Sequence, residues 1–246
     1  VGLYYKAGGV PWRLPPTPRE TCFVGVSFHH FRTTQRAIVR SSLAQAFSSD
    51  GEGFAIRGEA VPVEPEQGRN VHLSEVQAFN LARSVLAEYE LRTGGAPLRV
   101  VLHKTSHFDP PEQAGFTAAL RDTPIVSMVT LVPSLIRLLR YGTYPPTVGT
   151  LCTVNNDRTF LFTTGFMPEL GTYPGPHVPQ PFEVKCIGEN AAEAAKDVLN
   201  LTRMNWNTAD IRAKWPVSLS FARRVGGILD EYGDGQLADT SFRYFL

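Results

Sequence analysis

One continuous apolar run stands out early in the chain, Cys22-Phe23-Val24-Gly25-Val26-Ser27-Phe28, as expected of a strand buried on both faces. Leu98 to His103, with Val100-Val101-Leu102 at its centre, reads as a second buried strand. Ile125 to Val132 is a third such run. Phe54 to Val63 predicts another strand, with Pro62 marking an edge or an ending. Val148 to Val154 and Arg158 to Thr164, separated by Asn155-Asn156-Asp157, predict a hairpin with a three-residue loop. Pro15, Pro16 and Pro18 break up the opening segment, so residues 1 to 20 read as a short strand and an extended connection.

Helical spacing takes over between these runs. Ser74 and Gln77 form a capping-box pattern ahead of Val76, Phe79, Ala82, Leu86 and Tyr89, and Gly94-Gly95 ends the helix. Asp109-Pro110-Pro111-Glu112 turns into a helix through Leu120. Asn190 and Glu193 announce a helix to about Met204, and Pro216 opens another to about Leu229. The segment Gly171-Thr172-Tyr173-Pro174-Gly175-Pro176 reads as loop. Together these elements predict one α/β domain over residues 1–246, with a mixed central sheet flanked by helices. At 246 residues and 43% hydrophobic content the chain can bury such a core.

Charge changes the picture only locally. A formal net charge of +1 is not the basic excess usual for phosphate binding. Yet Arg203, Arg212, Lys214, Arg223 and Arg224 face a single acid, Asp210, before Asp230, Glu231, Asp234 and Asp239 follow. A basic face is one reading, solvated helix and loop charges the other. Three cysteines, Cys22, Cys152 and Cys186, without C-x-x-C spacing argue against a disulfide framework or a zinc site and fit a reducing cytoplasm. No charged start leads into an apolar run, so neither a signal peptide nor a membrane span is expected, and a first residue other than Met suits a piece of a longer chain.

Candidate chemistry gathers at two strand ends, where the first run closes on Ser27 and the second on Lys104. His29 and His30 are adjacent strand residues that point to opposite faces, so at most one approaches Ser27, and a hydrolytic Ser–His pair is disfavoured. His103, His107 and Asp109 would suit a metal only on a helix, which Asp109-Pro110-Pro111 opposes. Gly226-Gly227 has no Gly-x-Gly-x-x-Gly context and suits close helix packing rather than a phosphate loop.

The order and spacing of several short motifs resemble the PIWI domain of Argonaute proteins, in particular the prokaryotic, cleavage-deficient branch. They are Lys6-Ala7-Gly8-Gly9-Val10-Pro11-Trp12, the Gly25 strand, the Lys104 strand with Glu112-Gln113-Ala114-Gly115-Phe116, Gly149-Thr150, and Thr163-Thr164-Gly165. Gly171-Thr172-Tyr173-Pro174-Gly175, Leu201-Thr202-Arg203-Met204-Asn205-Trp206-Asn207, Pro216-Val217-Ser218-Leu219-Ser220-Phe221-Ala222 and the ending Phe242-Arg243-Tyr244-Phe245-Leu246 continue the match. The resemblance implies an RNase H-like fold and makes the chain the C-terminal part of a longer Argonaute. In cutting members, aspartates stand at the positions matched to Ser27 and Lys104.

Magnesium wants hard oxygen ligands, and since a unit charge about 4 Å away costs roughly 4 kcal/mol at an effective dielectric near 20, a divalent ion facing Lys104 pays roughly twice that. By the same resemblance Lys104 would act as a built-in cation or reach a target phosphate. The fourth ligand position falls on Asn200 or Asn205, and Glu59, Glu64, Glu66 or Glu75 would be the mobile glutamate.

The resemblance further implies guide and target contacts by Lys104, Arg137, Arg140, Arg203, Asn205 and Arg223. The carboxylate of Leu246 would hold Mg2+ at the guide 5′ phosphate. The expected partners are a short guide, RNA in preference to DNA, a complementary DNA target, the MID domain of the same protein and an effector protein, with no membrane. The expected function is guide-directed binding without cutting, in defence against plasmid or phage nucleic acid. Alternatives are a metal-dependent slicer with an atypical acidic set and a scaffold for a partner effector.

Overall fold

The structure, a computed structural model, describes residues 1–14, 20–32, 37–47, 53–56, 60–61, 71–138, 141–142, 145–155, 158–172, 178–206 and 212–221. The first apolar run becomes β1 (Thr21–Arg32), which pairs antiparallel with β2 (Ala37–Phe47) on one side. On its other side β1 runs parallel to β5 (Arg99–Lys104), and β5 runs parallel to β6 (Ile125–Pro133). The strands β3 (Gly53–Ile56) and β4 (Ala60–Val61) pair with β2. The hairpin β7 (Leu151–Val154) and β8 (Arg158–Leu161) joins through β9 (Phe182–Ile187) to β6. The described sheet has the order β3-β2-β1-β5-β6-β9-β8-β7, with β4 beside β2.

Three helices form where capping patterns predict them. In α2 (Glu75–Thr93) both halves of the Ser74/Gln77 capping box are made, and Gly94 closes the helix at φ 80°. In α3 (Pro110–Ala119) Asp109 and Glu112 form a second complete box. In α4 (Ala191–Thr202) the Asn190 side chain accepts from the Ala192 N–H, 2.7 Å away. Residues 217–221 are helical behind Pro216; the rest of that expected helix, to Leu229, lies outside the described residues.

Several expectations need correction. Residues 2–6 are a short helix, α1 (Gly2–Lys6), not a strand. The reason is tertiary: Tyr5 is fully buried and meets Trp206 edge to face, with ring centroids 4.7 Å apart. The Phe54–Val63 strand is two short pieces, β3 and β4, with residues 57–59 between them outside the described set. Strands β2 and β9 were not expected. In β2, Arg40-Ser41-Ser42 and Gln45 interrupt any apolar run. In β9, Phe182 and Val184 are buried while Glu183 and Lys185 alternate with them, a period-two signal that was there to find.

The sheet is covered on both faces. On the α2/α3 face, Cys22, Val24 and Val26 pack with Val100, Leu102, Leu81, Val85 and Phe116. On the α4 face, Phe23, Val101 and Val129 pack with Val198, Leu201 and Trp206, and with Val217 and Phe221 of the 217–221 helix. Gly25 makes that second contact possible. A Cβ there would lie 1.8 Å from the Ser218 carbonyl oxygen, so only glycine lets this backbone approach β1 so closely.

Candidate functional site

Successive residues of a strand point to opposite faces, and this separates the two positions singled out in the sequence. The β1–β5 register pairs Gly25 with His103 and Val26 with Lys104. Lys104 therefore shares the α2/α3 face with Val26, whereas Ser27 shares the α4 face with Gly25 and His103. Ser27 and Lys104 are not brought together. Ser27 also lies inside β1, which runs on to Arg32, and not at the strand end expected of it, whereas Lys104 does end β5.

Lys104 is 1% exposed and Glu112 is fully buried. The Lys104 ammonium donates to Glu112 Oε1, and to Oε2 at 2.5 Å. It also lies 3.4 Å from the His107 carbonyl oxygen and 3.4 Å from His72 Nδ1. The rings of Phe28 and Phe108 lie 5.3 and 5.4 Å away. Burial pulls the lysine pKa below its ordinary value, while the charges of Glu112 and Asp109 oppose that fall. Glu112 is fixed in turn by the Leu73 N–H at 2.8 Å and the Asp109 N–H at 3.2 Å. One carboxylate thus ties β5, the start of α3 and the approach to α2 together.

Around this pair lies a group able to hold a metal ion. Ligand atoms of His72, Asp109 and Glu112 all lie within 4.8 Å of one another. His72 Nδ1 is 3.3 Å from Glu112 Oε2 and 3.8 Å from Asp109 Oδ2. The His103, His107 and Asp109 trio does not assemble: His103 points to the other face, and exposed His107 contributes only its carbonyl here. Glu75 is exposed in the first turn of α2, on the Lys104 side of the sheet. Glu59, Glu64 and Glu66 lie outside the described residues.

On the α4 face, His103 is fully buried, with Nδ1 2.9 Å from Ser218 Oγ and its ring stacked on Phe23. Burial, and then the Arg99 charge, push its pKa down to about 3. Arg99 bridges Glu189 at 2.7 Å and Asp197 at 2.6 Å, anchoring α4 to β5. These acids are committed to that bridge. Burial still raises the Asp197 pKa against the pull of Arg99.

The basic residues spread along the rim. Arg203 caps α4, and its carbonyl accepts from Trp12 Nε1 at 2.7 Å. Its Nη1 is buried without a hydrogen-bond partner among the described residues. Burial lowers the Arg203 pKa, opposed by Glu169. Exposed Arg137 bonds the carbonyls of Leu135 and Ile136, and its charge joins burial in lowering the Lys214 pKa, so these two cations share one local field. Asn200 and Asn205 are both half-buried. Arg140, Arg223 and Leu246 lie outside the described residues, as do the side chains of His29 and His30.

No family model matches the chain. No curated protein matches it either. Solved structures do. Clostridium butyricum Argonaute bound to a guide DNA (5′ deoxycytidine) and a 19-mer target DNA matches with a TM-score of 0.70 at 15% identity, over 100% of this chain and 31% of that one. Aa-Ago with externally bound siRNA matches at 0.65 and 18% identity, over 99% of this chain and 33% of that one. A further structure, that of A. aeolicus Argonaute, matches at 0.54 and 17% identity, covering 88% and 30%. At such identities the likeness is one of fold. It agrees with the expected RNase H-like architecture, a mixed sheet flanked by helices. The chain spans about a third of the length of these Argonautes. No described helix is long and apolar enough to cross a membrane.

Proposed function

We propose that the chain is a PIWI domain that grips a short guide and its paired target without cutting, as part of a longer prokaryotic Argonaute. The observation that carries this reading is the buried Lys104–Glu112 pair at the end of β5, together with Ser27 in β1. An ammonium already bonded to a carboxylate, and a hydroxyl, stand at the two positions where the family resemblance calls for acids. A two-metal centre needs carboxylates to hold magnesium and activate water. A hydroxyl and an ammonium do not fit such a centre.

Guide and target contacts fall to Arg137, Arg140, Arg203, Asn205 and Arg223, with arginine forks suited to phosphate oxygens. Lys104, held by Glu112, serves as an internal cation rather than a phosphate contact. One of the similar structures holds both a guide and a target DNA, which supports the same class of ligand here. The guide is RNA in preference to DNA and the target DNA; base pairing supplies sequence choice and the protein holds the backbone. The MID domain and the Leu246 carboxylate with Mg2+ complete the 5′ phosphate site, and an effector protein acts downstream against plasmid or phage nucleic acid in the cytoplasm.

A slicer built on an unusual acidic set is the second reading, favoured by the His72, Asp109 and Glu112 group. Against it stand the Lys104 ammonium inside that group and the group's place on the face away from Ser27. The test is a guide-loaded full-length protein with a complementary strand and magnesium or manganese. Binding without cutting is the expected result. Site-specific cuts opposite the guide that vanish in Asp109→Asn would install the slicer in its place.

A further inference from the structure

We infer that Lys104 is a tethered cation filling a three-ligand metal site made by His72, Asp109 and Glu112, a site that takes a divalent transition metal once the ammonium is removed. The inference is independent of guide binding. Three observations carry it. The three side chains already present one nitrogen and two carboxylate donors within 4.8 Å of one another. Neither carboxylate is oriented by chance: Asp109 caps α3 through the Glu112 N–H, and Glu112 accepts from the Leu73 and Asp109 N–H groups. The cationic position among them is taken by a buried ammonium bonded to Glu112 and 3.4 Å from His72 Nδ1.

A divalent ion and that ammonium exclude each other by charge repulsion and by space. Lys104 is also hard to displace, being 1% exposed with Phe28 and Phe108 rings beside it. The cluster nevertheless reaches solvent through His72 and Asp109, whose side chains are 24% and 33% exposed. One imidazole with two carboxylates suits manganese, cobalt or zinc better than magnesium, which prefers an all-oxygen, largely hydrated shell. The wild-type chain accordingly needs no ion to order this corner, because the lysine supplies the charge.

The test is Mn2+ titration of the full chain followed by loss of the free-ion electron paramagnetic resonance signal. Manganese is chosen because Cys152 and Cys186 would compete for softer metals. Wild type should leave the free signal intact. Lys104→Ala should bind one equivalent at least about tenfold more tightly than wild type, with a rise in melting temperature on adding Mn2+. Lys104→Gln keeps most of the side-chain volume and stands in if the alanine variant does not fold. Adding His72→Ala to either variant should return binding to the wild-type level. Stoichiometric binding by wild type, no gain in both lysine variants, or a gain that survives His72→Ala would overturn the inference.

Discussion

Acidification should unfold this protein partly through one residue, His103. Its ring is fully buried between the sheet and Ser218, and its pKa lies at about 3 against 6.5 in an unfolded chain. The folded pKa is depressed, so between these values the unfolded state binds the extra proton. Stability from this group is fully present above pH 6.5 and is lost as the pH falls toward 3. The loss approaches about 1.4 kcal/mol per pH unit, up to about 5 kcal/mol at the acid end. That is a large share of the ~5–15 kcal/mol typical of a whole domain.

The perturbation is His103→Gln, which removes the titration and keeps a polar group able to reach Ser218. Urea unfolding of both proteins between about pH 5 and pH 7.5 gives their stability difference at each pH. Wild type should lose about 2 kcal/mol more than the variant on going from pH 7.5 to pH 5. A difference that stays constant over this range would show that His103 is not held neutral by burial, and the reasoning would fall.

Two further outcomes are expected. Gly25→Ala drives a Cβ to within 1.8 Å of the Ser218 carbonyl oxygen, a backbone atom, so the urea midpoint should fall by the equivalent of about 1–3 kcal/mol or more; an unchanged midpoint would mean the 217–221 helix moves off β1 at no cost. Arg203→Ala in the guide-binding protein should weaken all guide sequences alike and lower the salt slope by about one unit. An unaltered slope would leave Arg203 a purely structural cap of α4.

Elements with a local cause were readable from residues alone. The Ser74 and Asp109 capping boxes and the apolar runs of β1, β5 and β6 carry their signals within a few positions. What depends on distant partners was not. The β2 strand owes its form to pairing with β1 across polar residues, and α1 to Tyr5 packing on Trp206. The site shows the same divide. Lys104 was recognisable as a strand-end residue, but Ser27 was not one, because pairing with β2 carries β1 on to Arg32, and which face each occupies depends on pairing with another strand. Glu112, the residue that decides what Lys104 does, was visible only as half of a helix-start pattern.

The opposite facing of residues 27 and 104 bears on any attempt to engineer cutting into this chain. Writing an aspartate at 104 would not rebuild a catalytic centre. It would set a second carboxylate against Glu112 in a closed, ring-lined corner, where one of the two acids would have to take up a proton to coexist. An acid at 27 would lie on the opposite, α4 side of the sheet from residue 104. Two acids written at these positions would therefore be split by the sheet itself, and a repaired nuclease would need a second acid that shares the face of Ser27.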